Sequence, residues 1–311
     1  MTPTALFTHP ACLLHDTGPG HPECPDRLRA VLQALEHPNF VPLLREEAPL
    51  ATRDQLLLAH DAAYVDAILA MHPGDGQPIH IDGDTLMSAG SHDAILRAAG
   101  GAVAAVDAVM EGWALSAFVA TRPPGHHAER ARAMGFCLFA NAAIAALHAR
   151  ARWGLERVAV LDFDVHHGNG TQDIIERDAG LFYGSSHQYP CYPGTGAATE
   201  HGVGNVFNVG LPPGSGSAAF RAAWERVLVP AVDAFRPQLI VLSAGFDAHC
   251  DDPLADLRVV EADFAWLTGR IAATAELHCG GRIVSALEGG YDLHALAASV
   301  TVHVRALMRA E

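Results

Sequence analysis

From about residue 89 onward, short apolar runs alternate with longer segments of helical period. Segments 91–110, 140–153, 171–178, 217–235, 261–278 and 293–308 carry apolar residues at helical spacing. Between them, "SAFVATR", "RVAVLDFD", "LFYGSS", "NVFNVGL", "QLIVLSAGF" and "RIVSAL" read as short buried strands. Such alternation predicts βαβ units and an α/β fold, with a mostly parallel central sheet flanked by helices. Before residue 85 the pattern is weaker. Segments 26–36 and 53–69 look helical, and Gly/Pro stretches separate them. With no internal repeat and no low-complexity linker, one domain spanning 1–311 is expected.

In open parallel sheets, ligands bind outside the carboxyl ends of the strands. The chemically loaded residues of this chain follow strands four times: "TRPPGHH", "DFDVHHGNG", "SAGFDAH" and "LEGGY". Four such loops on one rim predict an active site.

In "LDFDVHHGNG", an extended backbone would put Asp162, Asp164 and His166 on one face and His167 on the other. Asp164 and His166 can then converge as metal ligands, and Asp247, ending another apolar strand, is the leading third ligand. Asp251 and Asp252 read as a polar turn before Pro253. Two carboxylates and one imidazole leave room for water, which is a catalytic type of site. Zn²⁺ is expected first, with Fe²⁺, Mn²⁺ or Co²⁺ compatible with the same ligands. A competing reading makes the aspartates helix caps before "TQDIIERD", but two carboxylates behind an apolar strand are costly without a partner. In "RPPGHHAER" the Pro-Pro-Gly turn delivers His126 and His127 to a defined place, one to take a proton from activated water and the other to steady charge. In "LEGGY", Gly289 and Gly290 let the backbone approach closely, and Tyr291 can donate to a developing oxyanion. The set specifies metal-assisted hydrolysis of a carbonyl.

Charge narrows the partners. The net charge of −15 argues against nucleic acid, which needs a basic footprint. All 20 basic residues are Arg. No apolar run approaches the roughly 18 residues a membrane helix needs, so no membrane partner is expected. The start "MTPTALFTHP" lacks a basic region and a sustained apolar stretch, so a cytoplasmic protein is expected. Cys12, Cys24, Cys137, Cys191, Cys250 and Cys279 show no metal or disulfide spacing and read as reduced structural thiols.

"RPPGHHAERARAMGFCLFANAAIAA", "LDFDVHHGNGTQDI", "SAGFDAHCDDPLAD" and "LEGGYDL" resemble the zinc-dependent histone deacetylase family, which includes bacterial amidohydrolases and acetylpolyamine amidohydrolases. The resemblance runs from residue 21 to the last helix, and its motifs look like the class II branch. It implies a three-layer α/β/α domain of the arginase/deacetylase type. It implies one Zn²⁺ on Asp164, His166 and Asp247, His126 and His127 as the tandem histidines, His127 as general base and then acid, and Tyr291 as oxyanion donor. Asp162 would partner His126 and help bind a buried K⁺, together with backbone carbonyls of Asp162, Asp164 and His166 and with Ser185. Phe136 would form one wall of an acyl-lysine tunnel, with Gly135 and Gly289 among the substrate contacts, and Arg27 would line an internal exit channel.

Departures from the family pattern carry information. Asn169 stands where class I enzymes have Asp behind the second histidine. An amide raises the imidazole pKa less than a carboxylate would, so His127 is expected to stay neutral at pH 7. Tyr192, the facing tunnel wall, replaces the more usual Phe. Leu254 stands where polyamine-selective relatives carry Glu, which favours an acetyl-lysine-like substrate. The expected activity is deacetylation of lysine-like N-acetyl or short acyl amides. An acetylpolyamine amidohydrolase is the alternative. A silent acyl-lysine binder and an arginase-like ureohydrolase fit less well, the first because His127 and Tyr291 are present, the second because two metals need more bridging aspartates.

Overall fold

The apolar runs pair as parallel strands. In chain order the strands are β1 (Thr4–Thr8), β2 (Leu44–Glu47), β3 (Ile79–His80), β4 (Leu86–Met87), β5 (Ser116–Val119), β6 (Val158–Asp162), β7 (Leu181–Gln188), β8 (Val206–Leu211), β9 (Leu239–Ala244) and β10 (Ile283–Leu287). Eight of them form one sheet in the order β2-β1-β5-β10-β9-β6-β7-β8. Each pairing in it is parallel. β3 and β4 make a separate antiparallel hairpin. The structure, a computed structural model, describes residues 3–74 and 77–309; both ends of the expected 1–311 domain lie outside the described residues.

Strand side chains alternate between the two faces of a sheet. Phe7, Val119, Val160, Val241 and Val284 join one apolar layer with the helices Ser91–Glu111 and Asn141–Trp153. Leu6, Phe118, Leu161, Leu242 and Ile283 join the other, with helices Pro25–Ala34, Val229–Phe235, Glu261–Cys279 and Leu293–Leu307. Apolar residues on both faces explain why these strands show no polar alternation. Each fully buried Val or Leu contributes roughly 1.5–3 kcal/mol.

Three expected helices differ in detail. Segment 53–69 splits into Arg53–Leu56 and Ala62–Leu69, each with its own cap residue, Thr52 and Asp61. Segment 171–178 starts earlier, as Asn169–Ile175. Segment 217–235 contains a widened π turn at Trp224–Leu228, just ahead of Pro230, which lacks the N–H to continue the ladder. Among the described residues, no helix is long and apolar enough to cross a membrane.

Sheet order positions the chemistry. The four loaded loops follow β5, β10, β9 and β6, which are consecutive neighbours in the sheet. Their carboxyl ends therefore bring the four loops together on one rim.

Candidate active site

β6 ends at Asp162, so strand alternation does not carry Asp164 and His166 to their places. A nested turn does. Asp162 Oδ1 accepts the Asp164 N–H at 3.1 Å, and Asp164 Oδ1 accepts the His166 N–H at 2.9 Å. Aspartate is suited to this local bond to the backbone two residues on. Asp247, after β9, enters through its Oδ1, which accepts the Val165 N–H at 2.8 Å. His166 Nδ1 then lies 3.2 Å from both Asp164 Oδ1 and Asp247 Oδ2.

All three residues are buried, and their ligand atoms lie within 4.8 Å of one another. Burial and the neighbouring Asp164 charge push Asp247 up to about 7. Burial would lower His166, yet the two carboxylates hold it well above its ordinary value. Such a cluster demands positive charge, because buried carboxylates are costly unless compensated. Two carboxylates and an imidazole fit a divalent first-row cation such as Zn²⁺. His249, Cys250 and Asp251 also cluster, but Cys250 and Asp251 are exposed to solvent.

The Pro-Pro-Gly turn sets His126 and His127 beside the triad, their rings 4.0 Å apart. His126 Nδ1 is 3.0 Å from Asp162 Oδ2, and its Nε2 is 3.8 Å from Asp164 Oδ1. Burial opposes its protonation, but Asp164 and Asp162 outweigh burial and raise it to about 10. His127 Nδ1 is 2.8 Å from Asn169 Oδ1, while Asn169 Nδ2 donates to Glu129 Oε1 at 2.7 Å. That orientation makes His127 Nδ1 the protonated nitrogen and leaves Nε2 a free lone pair. Burial, then the His126 and His166 charges, hold His127 well below the ordinary imidazole range.

A cavity of about 190 Å³ opens onto this cluster, lined by Asp84, His127, Gly135, Phe136, His166, Tyr192, Leu254 and Tyr291. The Tyr192 ring stands 5.1 Å from that of His127, and the Phe136 ring 5.9 Å from that of Tyr291. Gly135 has φ 56°, and a Cβ there would overlap the His127 ring. Burial, with Asp247 and Asp164, raises the Tyr291 phenol well above its usual value against the pull of Arg27, so it stays a donor.

Residues 21–307 match the histone deacetylase domain family. The chain belongs to the histone deacetylase family. That membership makes it a hydrolase of the deacetylase and amidohydrolase class. It is 40% identical to the histone deacetylase-like amidohydrolase of Pseudomonas aeruginosa, over 93% of this chain and 82% of that protein. It is 40% identical to Histone deacetylase 14, chloroplastic, of Arabidopsis thaliana, over 97% of this chain and 76% of that protein. The crystal structure of the HDA15 HD domain superposes with a TM-score of 0.93 at 36% identity, covering 99% of this chain and 90% of that one. The eight-stranded parallel sheet with flanking helices is this family's α/β architecture.

In this deacetylase-family chain, three further expected site residues lie outside the cavity lining. Gly289 lies against the acidic triad, outside the cavity lining: its N–H donates to Asp164 Oδ2 at 2.8 Å, and a Cβ would overlap both carboxylates. Ser185 pairs in register with Asp162, and its hydroxyl is 2.8 Å from His187 Nδ1. Arg27 is fully buried beneath the Tyr291 ring, with its guanidinium on the Glu288 and Gly290 carbonyls at 2.5 Å.

Other residues at the site escaped sequence reasoning. Glu288 Oε2 accepts the Gly125 and His126 N–H groups at 2.6 and 3.1 Å, fixing the histidine turn. The signal for it was present: a carboxylate at the carboxyl end of a buried strand, where Asp162 also sits. Glu23 grips Arg122 through both oxygens, at 2.5 and 2.6 Å, and anchors the start of the same turn. Asp84 reaches the cavity from the β3–β4 hairpin, and Thr85 Oγ1 of that hairpin accepts the Phe136 N–H at 3.0 Å. Asp252 is buried as well.

Proposed function

We propose that this chain is a Zn²⁺-dependent deacetylase that hydrolyses N-acetyl or other short acyl amides of lysine-like substrates. The observation that carries the reading is the meeting of His127, His166 and Tyr291 in one cavity, with Asn169 leaving His127 Nε2 unprotonated. Asp164, His166 and Asp247 would hold the cation. Bound there, it would polarise the amide carbonyl and lower the pKa of water. His127 Nε2 takes the proton from the attacking water and later gives it to the leaving amine. His126, charged against Asp162, steadies the negative charge that builds up. The Tyr291 hydroxyl donates to the same oxyanion. Phe136 and Tyr192 flank the acyl-bearing chain. Asp162 and Ser185, adjacent across β6 and β7, belong to a monovalent cation site in the same reading.

Turnover of an acetyl-lysine peptide by Zn²⁺-loaded protein tests the proposal. Tyr291→Phe and Asp247→Asn are each expected to lose at least about 10²-fold in kcat. Undiminished turnover in either would sink it.

A small acetylated amine is the second reading, supported by the Asp84 carboxylate in the cavity lining. Leu254 on the same wall favours the lysine-like chain. Relative kcat/KM on acetylputrescine and on an acetyl-lysine peptide decides between them.

A further inference from the structure

The run "DAHCDDPLAD" looks like a polar turn, and Asp251 behaves as one, exposed to solvent. Asp252 does not. It is 7% exposed, and both its oxygens are committed to backbone amides of cavity-lining residues. Oδ2 accepts the Tyr291 N–H at 2.7 Å, and Oδ1 accepts the Leu254 N–H at 3.0 Å. One side chain therefore ties the residue read as the oxyanion donor to a residue of the substrate wall.

Tyr291 needs an external hold. It follows Gly289 and Gly290, and Gly290 has φ 122°, so the segment before the tyrosine has no side-chain restraint of its own. Arg27 fixes the carbonyls of Glu288 and Gly290, on the preceding residues. The N–H of Tyr291 itself goes to Asp252. A charged acceptor makes this bond stronger than a neutral one would.

We propose that Asp252 is a positioning residue that sets where the Tyr291 hydroxyl stands in the cavity. This rests on the reading of Tyr291 as oxyanion donor. A neutral amide at 252 keeps one acceptor oxygen for two N–H groups, so one of them loses its partner. A misplacement of about 1 Å at a reacting group costs on the order of 10²-fold in rate.

A double-mutant cycle on the full, Zn²⁺-loaded chain with an acetyl-lysine peptide tests this. Asp252→Asn is expected to lower kcat by roughly 10- to 100-fold with a smaller change in KM, at unchanged metal content. In a Tyr291→Phe background the same substitution is expected to cost no further kcat. Amide hydrogen exchange over residues 288–293 should show Tyr291 losing protection in Asp252→Asn. Asp252→Ser, also neutral, repeats the cycle should the Asn variant not fold. Losses that multiply in the double variant would overturn the inference and leave the reading of Tyr291 standing, as would a Tyr291 amide that keeps its protection. Full turnover in Tyr291→Phe alone would overturn both.

Discussion

Asn169 Oδ1 lies 2.8 Å from His127 Nδ1, so an uncharged acceptor orients the imidazole that faces the cavity. His127 is already held well below its ordinary value by burial and by the His126 and His166 charges. A general base works only when deprotonated, so activity should fall on the acid side as pH drops through its pKa. The acidic limb of kcat/KM is therefore expected below about pH 6.5, the ordinary imidazole value. Asn169→Asp puts a carboxylate on Nδ1, favours the charged ring and moves that limb to higher pH. A limb that stays put in Asn169→Asp would remove His127 from the role of base.

The acidic triad makes metal removal a stability experiment as well as an activity one. A ligand that binds only the folded state stabilises it by about 2.7 kcal/mol when its free concentration is 100 times Kd. Chelation is expected to abolish turnover and lower the melting temperature by several degrees, and added Zn²⁺ should reverse both. Asp247→Asn should melt at a temperature that no longer responds to chelator. A melting temperature indifferent to chelator in the unmutated protein would argue against a metal at Asp164, His166 and Asp247.

Much of this fold was legible because strands buried on both faces write continuous apolar runs, as in β9 and β10. β2 was not legible: its four residues are all exposed at the sheet edge and include Arg45, Glu46 and Glu47. The expected grouping of Asp162, Asp164 and His166 came from strand periodicity, whereas a nested aspartate turn produces their arrangement. Asp252 and Glu288 escaped because their partners lie 39 and 163 residues away. Local pattern tells which carboxylates are acidic, and long-range pairing decides which one is buried.

Buried histidines outside the site predict acid sensitivity. His303 sits among Phe118, Phe163 and Phe246, hydrogen-bonded to Thr268 and Ser285, and burial lowers it to about 3. Burial likewise lowers His60 to about 4. A histidine with a depressed folded pKa leaves the unfolded chain binding more protons. Its stabilising contribution is thus complete above about pH 6.5 and is lost as pH falls toward the folded value, at about 1.4 kcal/mol per pH unit per histidine. Denaturant titrations between pH 6.5 and 4.5 are expected to show falling stability, with a shallower slope in His303→Asn. An unchanged slope in that variant would remove His303 from the account.

His167, beside the candidate ligand His166, faces away from the triad and pins the loop that carries Tyr192. Gln172 Nε2 donates to Glu200 Oε2 at 2.8 Å, so Gln172 Oε1 accepts from His167 Nε2 at 2.9 Å. His167 Nδ1 is then the acceptor for the Thr195 hydroxyl at 2.8 Å. Thr195→Val removes that donor and frees the segment three residues beyond Tyr192, at a net cost of roughly 1 kcal/mol. The expected result is a KM for an acetyl-lysine peptide raised about fivefold, the equivalent of that energy, with kcat little changed. Thr195→Ser keeps the hydroxyl and should restore KM. If Ser and Val behave alike, the hydroxyl does not hold the loop; if both leave KM untouched, the Tyr192 wall does not depend on His167.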